Sequence, residues 1–302
     1  MTYSVQRDFI GYGANPPDPH WPDDARLAVN FVINYEEGSE PSIADGDAAT
    51  ETGVSDAAGG RGVPGRDLAA EGMFEYGSRA GFWRLLRIFA DHGVPPTIFA
   101  CALALERNPP AAEAIRHAGL DICCHGWRWE NHFLLTEDQE RERIAMAVTS
   151  LTATTGAPPS GWYCRYSPSE NTRRLLVEHG GFLYDSDSYA DDLPFWTRVG
   201  ATPHLVVPYS LTNNDTRMMS TLGTGEAWFA AMRDAFDLLL AEGRAGQPKM
   251  MNIGLHMRMI GQPARAMGLV RLLEHIGKHR DEVWIAPRSA IARHWAQTHG
   301  PG

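Results

Sequence analysis

The sequence predicts an α/β fold built on a mainly parallel sheet or barrel, enclosed in a single domain of 302 residues. Three observations carry this reading. Leu27 to Tyr35 (LAVNFVINY) is an almost unbroken apolar run of β-branched and aromatic residues, the pattern of a strand buried on both faces. Further short apolar runs alternate with segments whose apolar residues recur at three- and four-residue steps, as strands separated by helices do. Carboxylates, histidines and an arginine follow several of those runs, at the strand ends where parallel α/β folds collect ligands.

Each element has its own justification. The opening arm, through Trp21 and Pro22, is rich in Pro, Asp and aromatic residues and reads as an ordered extension without period. The first strand ends abruptly in Glu36-Glu37-Gly38. Residues 39–67 are rich in Gly, Asp, Ala and Pro, and a loop this long is functional, disordered or an interface element. Phe82, Leu85, Leu86 and Phe89 mark a helix ending near His92-Gly93, and 96–103 (PTIFACAL) is the next strand. A short helix over 111–118, closed by Gly119, leads into a strand at 120–124. Thr136 and Gln139, three residues apart, form a capping-box signature for a helix running to Thr155-Gly156. Strands at 161–165 and 181–184 flank a helix over about 171–179, for which Ser167, Asn171 and Thr172 read as N-cap residues. Strands at 205–209, 250–256 and 282–286 follow, separated by helices built on 228–240 and 264–276. No internal repeat or domain boundary interrupts the chain.

Composition bounds the function. Hydrophobic residues make up 43% and charged residues 21%, ordinary globular usage with enough apolar mass for a large core. Twenty-seven basic against 37 acidic residues leave a net charge of −10. That excludes nucleic acid and anionic membrane as main partners, but not a small anion held by local arginines. The four cysteines form no CxxC pair, which fits a reducing compartment. No run of about 18 apolar residues exists, and the opening residues lack the apolar core of an export signal. The expectation is a cytoplasmic protein acting on a small molecule.

The strand-end filter returns Glu36 and Glu37, His125, Arg165, Asp185 and Asp187, and His256. Adjacent glutamates at a strand terminus face opposite ways and can divide labour between a general base and an orienting or ligating group. Arg165 offers a planar fork suited to paired carbonyl oxygens, or else pairs with a carboxylate such as Asp187. Asp185, Asp187, Asp191 and Asp192 form an acidic cluster of the kind that holds loops together. Trp127, Trp129 and Tyr166 are candidates to wall a pocket for a flat ring. Cys164, without a paired base, reads as a small buried hydrophobe.

The segments NYEEG (34–38), CHGWRW (124–129), GWYCRYSPSENTRRLL (161–176), FLYDSDSYADDLPFW (182–196) and IGLHMRMIGQPAR (253–265) resemble the motif series of polysaccharide deacetylases. The resemblance is strongest to the branch containing the cofactor-independent allantoinases of urate catabolism. It runs from GYGANPPDPHWP (11–22) to IARHW (291–295). It implies a distorted (β/α) barrel of the NodB-like type, with fewer than eight regular strands, and a homo-oligomer, dimer or tetramer. It assigns base character to Glu36 and the ligand-equivalent place to Glu37, where the family carries two aspartates. It assigns leaving-group protonation to His256 and substrate cradling to Arg165. The family's second metal histidine is replaced by Trp129, which cannot ligate. The expected cofactor is therefore none. The alternative is one divalent ion such as zinc on Glu37 and His125, with Glu130 or His132 completing the set. The expected reaction is hydrolysis of a cyclic amide, allantoin to allantoate foremost, with Glu36, Glu37, His125 and His256 catalytic and Trp129, Arg165 and Tyr166 binding substrate. Hydrolysis of another cyclic imide, metal-dependent N-deacetylation of an amino sugar, and an inactive ligand-binding module are the alternatives.

Overall fold

The computed structural model describes residues 4–60, 62–219 and 223–301. Strand β1 (Leu27–Tyr35) is buried at all nine positions, as its continuous apolar run requires. After the loop come α1 (Leu68–Tyr76), a π-helical turn (Gly77–Gly81), α2 (Phe82–Asp91) and β2 (Thr97–Ala100). Then follow α3 (Ala102–Arg107), α4 (Pro109–His117), β3 (Asp121–Cys124) and α5 (Glu137–Thr155). The middle of the chain holds β4 (Gly161–Trp162), α6 (Thr172–His179), β5 (Tyr184–Asp185), β6 (Phe195–Val199) and β7 (Thr202–Val206). It closes with α7 (Gly225–Arg244), β8 (Lys249–His256), α8 (Pro263–Gly277), β9 (Val283–Ile285) and α9 (Arg288–Thr298).

The strands form one curled sheet in the order β6-β7-β5-β4-β3-β2-β1-β8, parallel except for the β6–β7 hairpin. β8 pairs along almost all of β1, from Leu27 to Asn34, while β2 and β9 share its other edge at successive stretches. The open side is bridged where Gly254 donates to the Asn213 carbonyl and Met250 to the Asp192 carbonyl, both at 2.9 Å. The core is one large apolar cluster spanning helices and sheet, with a second against α9 and the opening arm. All four cysteines are free and fully buried. Among the described residues no helix is long and apolar enough to cross a membrane.

Several expected elements shift. The strand expected over 96–103 stops at Ala100, because the helix-forming run Ala-Leu-Ala-Leu-Glu-Arg coils into α3. The strand expected at 181–184 starts only at Tyr184, since Gly180 and Gly181 sit at φ +75° and +86°. The ladder at 161–165 ends at Trp162. The strand expected over 205–209 begins earlier, as half of the β6–β7 hairpin that turns at Gly200 (φ +60°). Asn171 takes the N-cap position of α6 as expected but makes no capping bond with its side chain; the Asn171 and Thr172 N–H groups donate instead to Ser169 Oγ. Helix α5 carries the full capping box, Thr136 accepting from the Gln139 N–H and Gln139 from the Thr136 N–H.

Candidate active site

The carboxyl ends of β1, β3 and β8 deliver Glu36, His125 and His256 to one point in a cleft of about 490 Å³. Glu36 Oε1 lies 3.2 Å from His125 Nε2 and 3.6 Å from His256 Nε2. Its other oxygen accepts from Arg258 Nη2 at 2.7 Å. Because side chains alternate along the strand, Glu37 points behind the cleft rather than into it. There its Oε1 accepts from the Arg258 backbone N–H and Nη1, each at 3.1 Å, and its Oε2 from the Glu36 N–H at 3.2 Å. Arg258 thus bridges the two glutamates from a site that is 2% exposed.

Both imidazoles are oriented from behind. His125 Nδ1 donates to the Tyr163 carbonyl at 2.8 Å, so its Nε2 faces Glu36. His256 Nδ1 meets Asp215 Oδ1 at 2.7 Å, and Asp215 is fixed in turn by the N–H groups of His256 and Ile260. Electrostatics follow from this arrangement. Burial alone would raise the Glu36 pKa, but Arg258 and His256 outweigh it and hold the carboxyl well below its ordinary range. Burial would likewise discharge His256, yet Glu36 and Asp215 push its pKa up to about 9, so it is an imidazolium at neutral pH. Glu37 is raised by burial and by Glu36, against Arg258. In its resting state the cleft therefore holds a carboxylate facing a charged proton donor.

The expected binding residues separate. Trp129 lines the cleft, but its buried ring also stacks with the guanidinium carbons of Arg165 (3.7 Å) and Arg258 (5.0 Å). Arg165 lines the cleft too. Its partner is Glu51 of the long loop, with the Trp129 carbonyl accepting at 2.9 Å, and not Asp187. Asp187 instead accepts from the Cys164 N–H, while Asp185 takes Arg173 and His204 and Asp191 takes the Leu193 N–H, so the acidic cluster holds loops. Tyr166 stands on the rim, 65% exposed at φ +60°. Trp127 packs against the core, and the cleft's aromatic wall is completed by Tyr163, Tyr209 and Phe133.

A divalent metal does not fit this donor set. Glu37 and His125, the expected alternative ligands, are turned to different partners, and the guanidinium of Arg258 occupies the flank of both glutamates. His132 pairs with Glu140 at 3.1 Å and packs on Trp162, and Glu130 sits 3.1 Å from Arg143, so neither restores coordination. Among the described residues no three His, Cys, Asp or Glu side chains are grouped to hold an ion.

The sequence reading missed the wall residues Tyr163, Tyr209 and Phe133 and, among the groups that set the charges, Arg258 and Asp215. Arg258 had a signal: a lone charge in the apolar stretch Met-Arg-Met-Ile just past a buried strand must find a partner. Asp215, in a short 3₁₀ turn (Asp215–Met219), had none.

Residues 67–184 match the family model for polysaccharide deacetylase. A Schizosaccharomyces pombe protein assigned by name to the polysaccharide deacetylases is 38% identical over 97% of this chain and 98% of its own. The crystal structure of PuuE allantoinase superposes with a TM-score of 0.94 at 47% identity, covering 99% of each chain. A Pseudomonas aeruginosa PAO1 structure, assigned to the polysaccharide deacetylases, gives the same TM-score and identity over 99% of this chain and 100% of its own. The curled parallel sheet is thus the NodB-like fold of these neighbours, and the chain belongs to the polysaccharide deacetylase family of hydrolases.

Proposed function

We propose that this protein hydrolyses a ring C–N bond of a cyclic ureide or hydantoin without a metal, allantoin to allantoate being the reaction the match to PuuE allantoinase favours. The observation that carries the reading is the opposition of an ionised Glu36 and a protonated His256, 3.6 Å apart, in an aromatic-walled cleft. Glu36 Oε1 orients a water and takes its proton as the oxygen attacks the ring carbonyl. As the tetrahedral intermediate collapses, the C–N bond breaks and His256 Nε2 delivers its proton to the departing nitrogen. The proton on Glu36 then returns to His256 across their contact, which resets the site. Arg258, backed by Glu37, keeps Glu36 charged, and Asp215 keeps His256 charged and in register. Trp129, Tyr163 and Tyr166 line the cleft that would take a planar ring, Tyr166 being the exposed one, and Arg165 lines it beside them.

The test is a panel of hydantoins, cyclic imides and N-acetylated sugars, run before and after thorough chelation with metal content checked by elemental analysis. Ring opening that survives chelation is expected. Release of acetate from a sugar, lost on chelation and restored stoichiometrically by zinc, would instead make the protein an ordinary metal-dependent deacetylase.

A further inference from the structure

We propose that Tyr209 is the oxyanion donor of this site, its hydroxyl donating to the substrate carbonyl oxygen as that oxygen gains charge. The inference rests on the ring-opening reading and identifies a group that reading lacks. Ring opening builds negative charge on the carbonyl oxygen, and a dry site must supply preorganised donors for it. Three guanidinium groups border the chemistry and each is engaged: Arg258 by Glu36, Glu37 and the Val54 carbonyl, Arg165 by Glu51 and the Trp129 carbonyl, and Arg217 by the Leu211 carbonyl.

Tyr209 lines the cleft, and its hydroxyl oxygen accepts from two side-chain amides, Asn214 Nδ2 at 3.1 Å and Asn34 Nδ2 at 3.5 Å. The orientation of each amide is set by a second bond. Asn34 Nδ2 also donates to the Leu255 carbonyl at 3.1 Å, and Asn214 Oδ1 accepts from the Thr216 N–H at 2.9 Å, so a flip of either would oppose like groups. With its oxygen receiving two donors, the hydroxyl has its hydrogen left to give, and among the described residues no side chain or carbonyl accepts it. Burial keeps this phenol protonated far above neutral pH. The seat is built for it: a Cβ on Gly254 would overlap the Tyr209 hydroxyl and Asn214 Nδ2. Asn34 and Gly254 stand two residues before Glu36 and His256 on neighbouring strands, so the hydroxyl lies one step below the catalytic pair on the same faces.

A hydrogen bond to a developing oxyanion is stronger than one to a neutral carbonyl, so its loss appears in kcat. The full-length protein and Tyr209→Phe are compared on the cyclic ureide opened fastest in the panel. Phenylalanine keeps the ring contacts with Phe99 and Tyr163. The expected result is a fall in kcat of about 10²–10³-fold with KM little changed, while the stranded Asn214 amide lowers the unfolding temperature. Replacement of Tyr209 by a fluorinated tyrosine, whose more acidic phenol is the stronger donor, is expected to change kcat at neutral pH while the alkaline limb, set by His256, stays in place. An active protein whose kcat is unaffected by Tyr209→Phe, or unaffected at neutral pH by fluorination, overturns the assignment of Tyr209 alone. Failure of the unmodified protein to open any ring in the panel overturns the ring-opening reading and this inference together.

Discussion

At the scale of single residues, the site works by setting opposite charges on two groups that share a cleft. Asp215 acts with Glu36 to make His256 an acid: Glu36 gives the larger push, and Asp215 holds Nδ1 at 2.7 Å and helps raise the pKa to about 9. Asp215→Asn keeps the shape and removes the charge. The alkaline limb of kcat/KM, expected near 9 in the unmodified protein, is therefore expected to move towards the ordinary histidine value of 6.5 in the variant, with a lower plateau. A limb that stays near 9 would mean that another group titrates there. The same shift bears on stability. The folded protein binds this proton more tightly than the unfolded chain, so charged His256 stabilises the fold fully below 6.5 and loses that contribution as pH rises through about 9. Glu36 acts in the other direction: its depressed pKa stabilises above 4.5, and that contribution fades as pH falls through the depressed value.

At the scale of elements, legibility followed local signal. β1 and α5 could be read from the chain because one is a continuous apolar run and the other opens with a capping box. Glu36, His125 and His256 were legible as polar groups just past apolar strands. The strands read at 161–165 and 181–184 shrink to two residues each in β4 and β5, too short for a period to set their bounds. Of the β6–β7 hairpin only the second strand was read, since β6 is placed by pairing rather than by pattern. The π-helical turn Gly77–Gly81 was equally silent, yet it is coupled to the chemistry. A Cβ at Gly77 would collide with the Glu37 carboxylate and come within 2.9 Å of the Arg258 nitrogen. Gly77→Ala is therefore expected to displace the Glu37–Arg258 pair, lowering stability by about 1–3 kcal/mol and kcat by more than the unfolded fraction explains. Urea unfolding and kinetics measured side by side check this; a variant with normal kcat would show that the turn is packing only.

At the scale of the molecule, the long loop is a strap across the catalytic end of the sheet. Asp45 binds Arg107, Asp47 binds Arg128, Glu51 binds Arg165, Asp56 binds Arg265, and the Val54 carbonyl takes Arg258 Nε at 2.7 Å. Its anchors thus come from several different elements, and among the described residues the loop contributes no strand to the sheet. Replacing residues 40–58 with a short Gly-Ser linker is expected to leave circular dichroism near native while activity falls by orders of magnitude, because Arg165 and Arg258 lose partners. Full turnover in such a variant would relegate the strap to assembly, which the mass in solution would then report. None of this was visible in a segment without period; only its length and acidity hinted that it was held by something.

The four buried cysteines add a practical property. They lie at Cys101, Cys123, Cys124 and Cys164, in or just beyond the strands that support His125 and Arg165, and burial pushes their thiols up, Cys124 to about 12. Alkylating reagents attack the thiolate, so the folded sheet offers them almost nothing to react with. Reagent uptake then becomes a clock for opening of the sheet itself, and a strap that swings away while the strands hold leaves that clock stopped.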